Sequence, residues 1–155
     1  MNITVRRATP TDLDWLIGQL KEFSRFFGTK KQLLGDDDAY AREALIGMMT
    51  QHVVLIAGRD MGEGVSENIG LIAGLLTPHP FNPNITMLSE TFWWVSPEHQ
   101  GSRAGLLLLD EFLKIGQQSA HWVTMSRLEN SPINEKILLK RGLKAHEHSY
   151  LLEVG

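Results

Sequence analysis

The stretch WWVSPEHQGSRAGLLLLDEF, Trp93 to Phe112, passes from an apolar run through a polar, glycine-bearing turn into a block of leucines. The run ends at Val95, Ser96 and Pro97 interrupt it, and Gly101 and Gly105 stand four residues apart before Leu106. This pattern predicts a strand, a turn, and a helix from about Arg103 to Gln118. The first N–H groups of a helix have no partner within it, and the helix dipole adds about half a positive charge there. Glycines let other atoms approach the backbone closely. Such a turn either only connects two elements or holds an anion such as a pyrophosphate.

Two other phosphate loops do not fit. A P-loop needs Lys-Ser/Thr after its last glycine, and Leu106 and Leu107 follow Gly105. A dinucleotide fingerprint could begin at Gly62-Glu63-Gly64, but it fails at Glu67 and no helical pattern follows.

Outward from the turn, the N-terminal side gives a strand at Ile3 to Arg7 and a helix opened by Thr9 and Pro10. Leu13, Leu16, Ile17, Leu20 and Phe27 recur at helical spacing, and Gly28 closes the helix. A second helix starts near Asp38. Strands follow at 52–58, 69–76 and 87–95, with DMGEGVSEN read as a turn. TPHPFNPN, with three prolines in eight residues, is read as a loop. On the C-terminal side come a strand at HWVTMSR, a helix from Ser131-Pro132 to Gly142, and two short strands in LKAHE and HSYLLEV. The order is β-α-α-β-β-β-α-β-α-β-β. It predicts one α/β domain, 1–155, with a mixed, mostly antiparallel twisted sheet flanked by helices.

Composition narrows the function classes. The 155 residues carry a net charge of −3 and no run of Lys and Arg, which argues against a nucleic-acid binder. There are no cysteines, so disulfides, thiolate zinc sites and a cysteine nucleophile are excluded, as suits a reducing cytoplasm. The longest unbroken apolar run is Val53 to Ala57, far below the roughly 20 residues of a membrane helix. The start, MNITVRRATP, lacks the apolar centre of a signal peptide. His146 and His148 share a face if extended, but no third metal ligand accompanies them, so no metal site is expected.

VSPEHQGSRAGLLLLDEF resembles the acetyl-CoA signature of the GNAT-type N-acetyltransferases, a strand ending Val-x-Pro-Glu followed by Arg/Gln-x-x-Gly-x-Gly/Ala and a helix. Val95, Pro97, Glu98, Gln100, Ala104 and Gly105 fall into register; Arg103 replaces the middle glycine. The resemblance extends to VRRATPTDLDWLI and to RLENSPINEKILLKRGLK, where Asn130 stands at the helix start. It implies acetyl-CoA as co-substrate, with the pyrophosphate on the amides of Gln100, Gly101, Ser102, Arg103, Ala104 and Gly105. The Arg103 guanidinium would either crowd the phosphates or grip them in a fork. The pantetheine arm would lie along Trp94 and Val95, with Asn130 beside it. As partner the resemblance implies an amine-bearing small molecule or protein, with no nucleic acid or membrane, and it allows a homodimer.

Acetyl transfer to an amine needs a base, because a lysine-like amine has a pKa of about 10.4. Glu90, on the strand leading to the turn, is the first candidate; the alternative is a solvent-facing carboxylate. His79 is the second candidate, or else a surface histidine. His99 is read as structural. The tyrosine that relatives place four residues before the late glycine is Leu138 here, with Tyr150 or Ser126 as substitutes. Trp93 and Trp94 are expected to pack on opposite faces of the sheet. Rival readings are a non-catalytic acyl-CoA-binding domain and a structural or interaction protein of the same fold.

Overall fold

The computed structural model describes residues 1–155. Strand β1 (Ile3–Arg7) leads through a 3-10 turn, Pro10–Asp12, into helices α1 (Leu13–Phe27) and α2 (Ala39–Gln51). Strands β2 (Val53–Gly62), β3 (Val65–His79) and β4 (Asn82–Val95) follow, then α3 (Ala104–Ser119), β5 (Trp122–Thr124) and α4 (Glu135–Leu139). The five strands lie in chain order in one sheet, antiparallel except for the parallel pair β4–β5.

Alternation along the strands sends side chains to two separate cores. Val54, Ile56, Leu71, Ala73, Phe92 and Trp94 meet Leu16 and Ile17 of α1 and Leu45 of α2. Val53, Leu55, Ala57, Ile72 and Leu88 meet Ala104, Leu108, Phe112 and Ile115 of α3. Trp93 packs with this second group, so the two tryptophans do face opposite ways. The Arg6 guanidinium holds the buried Asp12 carboxylate through two bonds of 2.8 Å, pinning the entry to α1.

Two register slips shape the sheet. Ala57 pairs Gly70 and Gly58 pairs Asn68, so Ile69 has no partner on β2. Ala73 pairs Phe92 and Gly74 pairs Glu90, leaving Thr91 as a bulge whose Oγ1 donates to the Ala73 carbonyl at 3.2 Å. Gly74 must be glycine: a Cβ there would lie 2.6 Å from Cζ of Phe112 and 2.9 Å from the Ser89 carbonyl.

The structure corrects several expectations. DMGEGVSEN is mostly strand, because Asp60 pairs Ser66 and only Glu63 and Gly64, at φ 54° and 75°, make the tight turn. TPHPFNPN is a hairpin tip rather than a loop. Its prolines are tolerated because the register slips between Pro78–Thr86 and His79–Asn82, so Pro83 needs no ladder partner. The late helix begins at Glu135, capped by Asn134 Oδ1, which accepts the Lys136 N–H at 2.9 Å. The two final strands are absent. Beyond Leu143, whose N–H donates to the Leu138 carbonyl, the backbone makes no further bond to backbone, and Tyr150, Leu152 and Val154 are exposed. An apolar alternation makes a strand only beside a partner edge, and β5 contributes only three paired residues to the sheet. No helix is long and apolar enough to cross a membrane.

Candidate active site

The chain leaves β4 at Val95 and turns under its own hydrogen bonds. The Ser96 N–H and its Oγ both donate to the carbonyl of the bulged Ile69, at 2.9 and 3.0 Å. Pro97–His99 then form one 3-10 turn, and the Gln100 side chain reaches back to the Val95 carbonyl at 3.1 Å. Three amides of the loop are spent on the loop itself: Gln100 N–H on the Pro97 carbonyl, Ser102 N–H on the His99 carbonyl, and Ala104 N–H on Ser102 Oγ. The N–H groups of Gly101, Arg103, Gly105 and Leu106 donate to no group of the protein. The anion-binding capacity of the turn therefore rests on these four rather than on an unbroken run from Gln100 to Gly105.

The two glycines differ in kind. Gly101 has φ of 87°, which a side chain would strain. Gly105 has ordinary backbone angles, and a Cβ there would have Val95 Cγ2 at 3.6 Å and Trp93 Nε1 at 3.9 Å, both normal contacts. The fold therefore does not require glycine at 105. Arg103 caps α3 and is exposed; its carbonyl accepts the Leu107 N–H at 3.0 Å, while its guanidinium makes no hydrogen bond or ion pair with the protein.

Next to this cradle β4 has an open edge. Its pairing with β5 covers only Met87, Leu88 and Ser89, against Trp122, Val123 and Thr124. From Glu90 onward, where the Thr91 bulge bends β4, the two parallel strands part. Glu90 sits at the fork, half-buried, and accepts the Ser126 N–H at 3.4 Å. Burial raises its pKa from 4.5 to about 7, the single bond from Ser126 opposing the shift only in part.

No family model matches the sequence, and no curated protein matches it. Solved structures do match the fold. An acetyltransferase from Trypanosoma brucei superposes with a TM-score of 0.71 at 16% identity, over 99% of this chain and 100% of that one. A transcriptional regulator from Bacillus halodurans gives 0.72 at 15% identity, over 99% and 100%. A predicted acetyltransferase with acetyl-CoA from Clostridium acetobutylicum gives 0.71 at 16% identity, over 98% and 96%. The chain has the GNAT acetyltransferase fold.

On this GNAT fold the expected site residues do not all gather. Trp94 faces α1, where its Nε1 donates to Gln19 at 3.1 Å, so only its backbone is near the open edge. His79 lies at the hairpin tip, five residues beyond the Gly74 that pairs Glu90, roughly 16 Å along the strand. There its Nδ1 accepts the Phe81 N–H, and the ring packs edge-on against Trp122. Asn130 donates from Nδ2 to the Phe26 carbonyl at the end of α1, at 3.2 Å, and makes no hydrogen bond to the loop before α3. Leu106, whose amide has no protein partner, was not singled out in the sequence, and Ser126, named there as a substitute acid, instead faces Glu90 with its N–H. The offset of the loop's internal bonds and the fork of two distant strands place them there.

Proposed function

We propose that the chain is an N-acetyltransferase that takes the acetyl group of acetyl-CoA and passes it directly to an amine. One observation carries the reading: four unspent amides, one of them on the exposed Arg103, lie at the start of α3, which follows the open end of β4. This set suits the co-substrate. Gly101, Arg103, Gly105 and Leu106 offer N–H groups to a pyrophosphate, and the Arg103 guanidinium can grip it in a fork. Ser102, Ala104 and Gln100 shape the cradle. The stretch of β4 after Ser89, which β5 leaves unpaired, offers an edge along which an amide-bearing arm can pair as an added strand.

Bound acetyl-CoA supplies a thioester, whose C–S bond breaks as the new C–N bond forms. Glu90 deals with the proton. An amine of pKa about 10.4 arrives charged at neutral pH and must lose a proton before it attacks. A carboxylate held near 7 is about half ionised there and returns the proton to solvent readily, and such a base is worth about 10²–10⁴-fold. No phenol is needed for the sulfur at position 138, where Leu138 stands. A thiol of pKa about 8.5 leaves as thiolate at pH 7 for about 2 kcal/mol and takes its proton from water. The amine acceptor is a small molecule or a protein.

The test is a calorimetric titration of acetyl-CoA into the parent protein and into Gly105→Val, whose Cβ meets only ordinary contacts at 3.6 and 3.9 Å. The variant is first shown to melt with the parent. Binding in roughly the micromolar range by the parent, weakened at least about tenfold in the variant, is the expected result. Absence of binding by a folded parent overturns the reading.

A further inference from the structure

We infer that Glu67 is a positioning residue for the phosphate cradle, acting on it through His99. The inference rests on the acetyl-CoA reading above and adds residues that neither the signature nor the open edge includes. Strand β3 runs past the end of β4: Val95 pairs Gly70, and residues 65–69 of β3 continue beyond it with only β2 beside them. The loop that leaves β4 crosses this overhang. Glu67 lies there, directly opposite Arg59 of β2, and the two close an ion pair at 2.6 Å between Glu67 Oε2 and Arg59 Nη2. The Arg59 side chain hydrogen-bonds only to Glu67, and its buried Nε finds no partner.

The same carboxylate oxygen faces the loop. His99 Nε2 stands 3.9 Å from Glu67 Oε2, and the His99 side chain is only 12% exposed. The other ring nitrogen, Nδ1, lies 3.0 Å from Ser96 Oγ. The one hydroxyl hydrogen of Ser96 is already donated to the Ile69 carbonyl, so Nδ1–H must be the donor toward Ser96. The imidazole is thus clamped between Ser96 on one side and the Arg59-braced carboxylate on the other. At 3.9 Å the contact is longer than a direct hydrogen bond, so the carboxylate acts on the ring through its charge and position.

The ring's own backbone controls the cradle. The His99 N–H donates to the Ser96 carbonyl at 2.9 Å, and the His99 carbonyl receives the Ser102 N–H at 3.2 Å. Those bonds flank Gly101 and set where its amide and that of Arg103 point. Swinging His99 away would release the Ser102 amide and disorder the four donors together. Arg59, Glu67 and His99 are the charged and titratable groups of this chain of contacts.

The experiment compares the parent with Glu67→Gln, His99→Gln and the double variant, all full-length, in two measurements. Hydrogen exchange without ligand should show faster exchange across residues 96–106 in each variant, with α1 and the β3–β4 pairs unchanged. Calorimetry should show coenzyme A bound about tenfold more weakly by Glu67→Gln, while S-acetylpantetheine, which lacks the pyrophosphate, binds within about twofold of the parent. A general structural fault would weaken both ligands. Because Glu67 acts through His99, the double variant should lose no more than His99→Gln alone. Unchanged exchange in the loop, equal weakening of both ligands, or additive losses each overturn the inference. A parent that binds no coenzyme A overturns the cofactor reading, and the exchange measurement still decides whether Glu67 holds the loop.

Discussion

Glu90 carries a stability effect with a definite sign. Its pKa is 4.5 unperturbed and about 7 in the fold, because the half-buried carboxylate is desolvated at the fork of β4 and β5 and has one N–H donor. Between those values the folded protein holds a proton that the unfolded chain has released. Stability from this group is therefore fully present below pH 4.5 and is lost as pH rises to about 7. The loss is about 1.4 kcal/mol for each pH unit, or about 3 kcal/mol over the whole interval. Glu90→Gln removes the charge, keeps the shape, and leaves an oxygen to accept the Ser126 N–H. The measurement is urea unfolding of parent and variant from pH 4.5 to 8. The two should be nearly equal at pH 4.5, and the variant should gain steadily to about 3 kcal/mol at pH 8, roughly 6–12 °C in Tm for a domain of this size. Subtracting the curves cancels the other titrating groups. A difference that does not change with pH would refute the burial reasoning, and with it the case for Glu90 as a base poised near neutrality.

Two further outcomes test the frame that holds the site. The Arg6 guanidinium lowers the Asp12 carboxyl to about 2 from 3.8, so its contribution is present above pH 3.8 and is lost as pH falls through about 2. Asp12→Asn should cost about 2 kcal/mol at pH 7 and progressively less below pH 3.8, read by denaturant melts down the acid range. Gly74→Ala drives a methyl group into the Phe112 ring and the Ser89 carbonyl, and should cost about 1–3 kcal/mol in the same assay. Wild-type stability in that variant would mean that α3 shifts freely over the sheet.

The sequence by itself determined the order of elements through β5, because each carries a local signal: periodicity in α1, β-branched runs in β2 and β3, Pro-Gly punctuation at the turn before α3. It also pointed to the turn at the start of α3, since partnerless amides at a helix start are a local property, though not to which of those amides the loop itself uses. The tertiary structure decided what depends on distant partners. The hairpins lengthened because strand ends are set by pairing, which turn residues alone do not reveal. HSYLLEV makes no strand, since its alternation needs an edge that the fold does not bring to it. Glu90 became a raised carboxyl only where two strands part around the Thr91 bulge, while His79, equally plausible by residue type, was carried to the hairpin tip. Glu67 came to face His99 across 32 positions of sequence because β3 overhangs β4. Local preferences are written residue by residue, whereas burial, field and proximity belong to the packed sheet.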